Sequence, residues 1–135
     1  MTTIPETPGS RLQARKFLVI AVTVVAIEAL AYIVLAILGL TDISGDSVAT
    51  SVGISLFLAL YGFAQLFAGR KLLAFHAWAR GPLVFTQLIQ LGLAWGLRDS
   101  DQQWLAVLMA VGASVALGCL VAPAVTRALL DEEAV

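Results

Sequence analysis

The strongest constraint on the fold of this chain is an apolar run of 24 residues, Phe17–Leu40 (FLVIAVTVVAIEALAYIVLAILGL), with one carboxylate, Glu28, near its middle. A helix of that length extends about 36 Å, which exceeds the roughly 30 Å hydrocarbon core of a bilayer. An ionisable side chain at the centre of such a helix costs on the order of 3 kcal/mol, which the surrounding apolar residues can offset. The run therefore predicts a membrane-spanning helix with a polar residue inside it.

Composition favours a membrane protein independently of that run. Hydrophobic residues make up 60% of the chain and charged residues 13%, whereas a soluble domain carries about 25% charged residues. The single Cys119 excludes an intramolecular disulfide, and the single His76 has no cluster of carboxylates near it in sequence. Phosphate-binding, hydrolase and metal-binding motifs are absent from the sequence. We therefore expect no enzymatic activity, no metal, no cofactor and no nucleic-acid partner.

The order of apolar and polar segments predicts an all-α integral membrane four-helix bundle with up-down topology. We predict one membrane domain over residues 1–135, with spans at about residues 17–40, 48–68, 82–97 and 104–125. Pro82 suits the first turn of the third span, because the amide proton that proline lacks has no helical partner there. That span is short for a bilayer, so we expect either that its helix begins before Pro82 or that the bilayer is locally thinner there.

The polar ends and the basic residues predict the orientation. A tail of residues 1–16, in which Met1–Ser10 is expected to be disordered, precedes the spans, and an acidic tail of residues 126–135 follows them. Seven of the eight lysine and arginine residues fall on one side of the predicted spans: Arg11, Arg15, Lys16, Arg70, Lys71, Arg80 and Arg127. The positive-inside rule then predicts a multi-pass plasma-membrane protein with both termini in the cytoplasm. The turns Thr41–Ser47 and Arg98–Gln103 are expected to face outward.

Glu28 is the only charged residue deep in an apolar run, which makes it the first functional candidate. Tyr32 lies one helical turn further along the same face, where its hydroxyl could bond to the carboxyl. Amides need partners in hydrocarbon, so Gln65 of the second span and Gln87 and Gln90 of the third are expected to face the interior. These five residues form a candidate intramembrane proton or hydrogen-bond site. It has two interpretations: a neutral hydrogen-bonding strut between helices, or a group that handles protons or cations.

Small residues recur at every fourth position of the fourth span: Ala110, Ser114, Gly118 and Ala122. This spacing lets helix backbones approach closely, which stabilises helix pairs in lipid. The favoured interpretation is packing inside the bundle, and the alternative is a face for dimerisation.

The connector Gly69–Gly81 between the second and third spans is basic and aromatic. Its residues Arg70, Lys71, Trp78 and Arg80 are predicted to lie at the lipid headgroups, where each cation contributes about 1 kcal/mol. Anchoring to lipid explains the segment, and docking of a protein partner is the alternative.

The segment Arg80-Gly81-Pro82 followed by LVFTQLIQLGLAW, after a first span containing Glu28-Ala29, resembles a group of short four-span membrane proteins of actinobacteria. The resemblance covers most of the chain. It implies a membrane location and no particular activity.

In architecture the chain also resembles the small multidrug-resistance transporters. Those proteins have four short spans, an essential glutamate in the first span, which Glu28 matches, and a small-residue dimer face in the fourth. Tyr61 and Trp95 correspond loosely to aromatic residues in their second and third spans. The chain departs from them in its basic connector, its strongly biased charges and the lack of a Trp-Ser-Gly pattern in the third span. The resemblance implies a homo-oligomeric proton-coupled exporter of small molecules.

Three classes of function follow from these observations. The favoured one is a non-enzymatic accessory or interaction protein of a membrane complex, whose partners are the lipid bilayer and either another membrane protein or a second copy of the chain. The alternative is the proton-coupled exporter that uses Glu28. A membrane enzyme is least favoured, because no second acid, base or metal ligand accompanies Glu28 in the spans.

Overall fold

The computed structural model describes residues 8–41 and 45–133, and this part of the chain is helical without strands. Its five α-helices are α1 (Pro8–Thr41), α2 (Val48–Leu73), α3 (Arg80–Leu97), α4 (Gln103–Leu120) and α5 (Pro123–Glu133). Short 3₁₀ turns at Gly45–Ser47 and Ala77–Ala79 precede α2 and α3. The all-α class predicted from the sequence is confirmed.

Three helices are long and apolar enough to cross a membrane, which is compatible with a multi-pass membrane protein. Within the described residues these candidate spans are Arg11–Thr41, Val48–Leu73 and Gln103–Leu120. The third predicted span lies in α3, which is not among them. Gln87, Gln90 and the N-terminal Arg80 make α3 less apolar than these three candidate spans.

The helices extend beyond the predicted spans on one side. α1 begins at Pro8, so residues 8–16, which the sequence assigned to the tail, are helical, and the rest of that tail lies outside the described residues. α2 continues to Leu73 and takes up the first part of the predicted connector. α3 begins at Arg80, two residues before Pro82, in line with the expected early start.

The predicted fourth span of residues 104–125 is interrupted, because α4 ends at Leu120. Pro123 follows, and proline cannot donate a backbone hydrogen bond and disfavours helical geometry in the residue before it. The chain then turns into α5, which contacts α1. Val125 and Leu129 of α5 are buried in the core cluster that also contains Leu18 of α1. Most of the predicted acidic tail is therefore a docked helix, and its last two residues lie outside the described part.

The direction of α1 and α2 follows from their closest approaches. Gly62 of α2 lies against Ala29 and Ile33 of α1, whereas Gly69 lies against Val22. Residue numbers rise in α1 as they fall in α2, so the two helices are antiparallel. A side chain at Gly62 would place its Cβ 2.8 Å from the carbonyl oxygen of Ala29, so this approach depends on glycine.

The helices contact one another in a closed order: α1 with α2, α2 with α3, α3 with α4, and α4 with α1. Within the described residues, α1 and α3 have no Cα atoms within 8 Å of each other. These two helices therefore lie diagonally opposite, and side chains fill the space between them. That space contains the polar residues described below.

Candidate functional site

Both carboxylate oxygens of Glu28 accept hydrogen bonds from glutamine amides of α3. Gln87 Nε2 donates to Oε2 at 2.9 Å, and Gln90 Nε2 donates to Oε1 at 2.8 Å. The two glutamines lie three positions apart, so they share one face of α3. They are 0% and 2% exposed, respectively. The carboxyl group therefore links α1 to the diagonally opposite helix, inside the molecule.

Tyr32 extends this network by one bond. Its hydroxyl donates to Gln90 Oε1 at 3.1 Å, so it does not make the bond to the carboxyl that the sequence indicated. Because Gln90 Oε1 accepts this bond, its Nε2 is held toward Glu28. We call Glu28, Tyr32, Gln87 and Gln90 the Glu28 cluster.

α2 packs against the Glu28 cluster through an aromatic side chain. The ring of Tyr61 meets the ring of Tyr32 edge to face, with centroids 5.2 Å apart and an interplanar angle of 84°. This geometry is favourable for aromatic pairs. The Tyr61 hydroxyl donates to the backbone oxygen of Thr86 in α3 over a long 3.4 Å.

The residue of α4 that lies against Glu28 is Gly112, which has no side chain. A Cβ at Gly112 would lie 2.8 Å from Glu28 Oε1, so only glycine leaves room for the carboxyl group at its observed position. The sequence interpretation missed Gly112, because it lies outside the four-residue stripe of small residues. The sequence shows a glycine within an apolar helix, but only the structure shows that this glycine lies opposite Glu28.

Gln65 is not part of the hydrogen-bonded network. It is 2% exposed, and its Nε2 and Oε1 have no hydrogen-bond partner within the described residues. Gln87 Oε1 also lacks a partner there. Four of the five predicted site residues are thus brought together, and Gln65 stands apart on α2.

The chemistry available to the Glu28 cluster is limited to hydrogen bonding and proton exchange. Its donors are neutral amides and a phenol, which can satisfy a carboxylate but cannot compensate its charge. No group of three histidine, cysteine, aspartate or glutamate side chains gathers in the described part of the chain. In this arrangement the carboxyl group connects α1 to α3 through two hydrogen bonds.

The small-residue stripe of α4 has an orientation different from the one favoured by the sequence. Ser114 and Gly118 are exposed, and a Cβ at Gly118 would meet nothing within 4 Å. Ala110 and Ala122 are only partly buried, while the buried face of α4 consists of Ala106, Ala113, Ala116 and Leu120. The prediction that this stripe packs inside the molecule is therefore wrong for Ser114 and Gly118. The rotation of α4 directs Gly112 toward Glu28, and these two residues consequently face outward.

The residues predicted to contact lipid headgroups lie close together, where α2 ends and α3 begins. Arg70 and Trp78 are exposed, and Lys71 and Arg80 are partly buried. Lys71 Nζ lies 5.6 Å from the ring centroid of Phe67, which in turn lies 6.2 Å from the ring centroid of Trp78. Cations and aromatic rings in contact are typical of a membrane–water interface.

The chain matches no protein-family model, no curated protein and no solved structure.

Proposed function

We propose that this chain is a four-span integral membrane protein of non-enzymatic role that acts as an accessory or interaction protein of a membrane complex. The observation that carries the proposal is the pair of hydrogen bonds from Gln87 and Gln90 to Glu28. They use both oxygens of the one intramembrane carboxyl group for contacts between helices. Glu28, Gln87 and Gln90 then serve the fold.

We propose α3 as the fourth span of an up-down four-helix bundle. Its 18 residues extend about 27 Å, close to the thickness of the hydrocarbon core. The glutamines that lower its hydropathy are buried against Glu28, whereas the exposed side chains Phe85, Leu88 and Leu93 are apolar. A helix whose polar groups face its neighbours can cross lipid.

We propose that the protein lies in the plasma membrane with both termini in the cytoplasm. We use the term basic end for the end of the bundle that carries the start of α1, the end of α2 and the start of α3, with their arginines and lysines. The other end carries Arg98, whose guanidinium lies 4.3 Å from the ring of Trp95 and is paired with Asp99 at 3.2 Å. The excess of cations at the basic end supports a cytoplasmic location for it.

The interaction role is supported by the outward direction of Ser114 and Gly118. Small residues on the outer face of a membrane helix let a second helix approach closely. In the proposed bundle this face is directed toward lipid, where either another membrane protein or a second copy of the chain can bind it.

A photoreactive amino acid at Ser114 tests this role in the native membrane. We expect a crosslinked adduct from this position, and its mass distinguishes a second copy from a different protein. The matched control is Ile27, which is 64% exposed on α1 and should give no adduct. Equal adduct yields from both positions, or none from Ser114, would contradict an interaction at this face.

A proton-coupled exporter is the second candidate, and one observation favours it. Gln87 Oε1 has no partner in the described part, so rotating this amide by 180° would present an acceptor to a protonated Glu28. The site can thus accommodate both protonation states of the carboxyl group.

Transport by proteoliposomes distinguishes the two candidates. A pH gradient is imposed across the vesicle membrane, and a cationic dye is the transport probe. Vesicles with the parent protein should take up no more dye than vesicles with the Glu28→Gln variant. Gradient-driven uptake by the parent that Glu28→Gln abolishes, at equal protein content, would replace the accessory role with the exporter.

A further inference from the structure

A cleft runs between α1 and α2 on the side of the Glu28 cluster that leads to the basic end. Its volume is about 420 Å³. Val22 and Ala26 line it on α1, and Phe63, Gln65, Phe67 and Arg70 line it on α2. Glu28 is not among its lining residues, so the cleft is separate from the cluster.

The composition of the cleft changes along its length. Val22, Ala26, Phe63 and Phe67 give it apolar walls, which suit a hydrocarbon chain. Arg70 lies at the basic end, in the last turn of α2, and is exposed. It has no ion-pair partner within the described residues. A ligand that fits this gradient carries an apolar chain and one anionic group.

Gln65 gives an independent indication of a ligand. A buried amide without a hydrogen-bond partner costs roughly 1–3 kcal/mol, so native structures rarely retain one. Both polar atoms of Gln65 lack a partner within the described residues, and Gln65 lines the cleft five residues before Arg70 on α2. A side-chain rotation would let its Nε2 donate to an oxygen of a ligand in the cleft.

We propose that this cleft binds an anionic phospholipid of the leaflet at the basic end. The phosphate group pairs with Arg70, an ester oxygen accepts a hydrogen bond from Gln65, and an acyl chain lies between Ala26 and Phe63. The proposal rests on the proposed membrane location. It gives the predicted contact with lipid headgroups a defined binding site on the protein. General attraction to a charged membrane surface would require no such site.

The intrinsic fluorescence of Trp78 can report occupancy, because its ring lies 6.2 Å from that of Phe67 in the cleft wall. The full chain with Trp95→Phe and Trp104→Phe is reconstituted into phosphatidylcholine vesicles that contain brominated phosphatidylglycerol or, in parallel, brominated phosphatidylcholine. We expect the anionic lipid to quench Trp78 with about fivefold higher apparent affinity, since one cation near an anionic headgroup contributes that factor. Inorganic phosphate should not compete, because it has no chain to fill the cleft.

Three variants separate the cleft from general electrostatics. Arg70→Gln should bring the ratio of the two affinities close to one. Lys71→Gln, with the same loss of charge at the neighbouring position outside the cleft lining, should retain most of the preference. Ala26→Leu keeps every charge but fills the cleft, and should abolish the preference.

Each outcome bears on the proposal. Equal quenching by both lipids, an equal effect of Lys71→Gln and Arg70→Gln, or an unaffected Ala26→Leu would overturn the lipid site. Resistance to alkaline extraction is measured on the same vesicles. A chain that is extracted overturns the proposed membrane location and the lipid site together, whereas an inserted chain without lipid preference overturns the lipid site alone.

Discussion

Gln90 Nε2 lies 2.8 Å from Glu28 Oε1, although the helices that carry the two residues have no Cα atoms within 8 Å of each other in the described part of the chain. The bond spans the interior between diagonal helices and joins residues 62 positions apart in sequence. A polar contact of this kind fixes the rotation of both helices, because turning either one would leave a polar group in an apolar interior.

Replacing Glu28 with leucine should destabilise the protein more than replacing it with glutamine. Leucine leaves the amides of Gln87 and Gln90 without acceptors, and a lost interhelical bond in a membrane costs about 0.6–2 kcal/mol. Glutamine can be accommodated if Gln87 turns its unpartnered Oε1 toward the new amide. Thermal unfolding in detergent, followed by circular dichroism, measures the difference.

A triple variant is the control for that prediction. Glu28→Leu with Gln87→Leu and Gln90→Leu removes the carboxyl group and both amides together, so that the Tyr32 hydroxyl is the one group of the Glu28 cluster left without its partner. The triple variant should therefore recover most of the stability. A triple variant less stable than Glu28→Leu alone would contradict the role of Glu28 in holding α1 and α3 together through hydrogen bonds.

Tyr32→Phe should lower stability by about 1 kcal/mol. The change removes the hydroxyl that donates to Gln90 Oε1 but keeps the ring that meets Tyr61 edge to face. Tyr61→Phe is the matched control and should have a smaller effect, because its hydrogen bond to Thr86 is 3.4 Å long. Equal losses in unfolding experiments would show that the hydroxyl of Tyr32 does not hold Gln90.

Gly112→Ala should destabilise the protein, although alanine is the better helix former. The new methyl group would lie 2.8 Å from Glu28 Oε1 and displace the carboxyl from Gln90. Gly118→Ala in the same helix meets nothing within 4 Å and should be neutral or stabilising. Melting temperatures of the two variants in one detergent test this, and a Gly112→Ala protein as stable as Gly118→Ala would exclude the close contact.

Gln65→Leu should stabilise the protein by about 1 kcal/mol in a zwitterionic detergent, because it removes a buried amide that has no partner within the described residues. Added phosphatidylglycerol should then raise the melting temperature of the parent more than that of the variant. An identical response of both proteins would show that lipid does not satisfy Gln65.

Labelling of introduced cysteines tests the topology. In a Cys119→Ala background, Ser47→Cys should react with an impermeant maleimide on intact cells, because Ser47 is exposed at the end opposite the basic end. Ala74→Cys, exposed after α2, should react only after the membrane is permeabilised. The reverse pattern would invert the proposed orientation.

The sequence by itself determined where the long apolar helices lie, because a single segment such as Phe17–Leu40 can satisfy its own backbone hydrogen bonds in hydrocarbon only as a helix. It also identified Glu28, Gln87 and Gln90 as polar residues in need of partners. It did not show that residues 8–16 and α5 are helical. It placed the end of the last apolar helix wrongly, since the docking of Val125 and Leu129 against α1 depends on contacts far away in the chain.

Only the tertiary structure decided which faces of α1, α2 and α4 are inside. α1, α2 and α4 carry exposed apolar side chains along their whole length, so periodicity does not distinguish the buried face from the exposed one. The rotation of each helix is fixed instead by contacts between helices, such as Gly112 against Glu28 and Gly62 against Ala29. For this reason Gly112 belongs to the candidate site although no sequence pattern singled it out. Ser114 and Gly118 face outward, and Gln65 lies apart from the other polar residues.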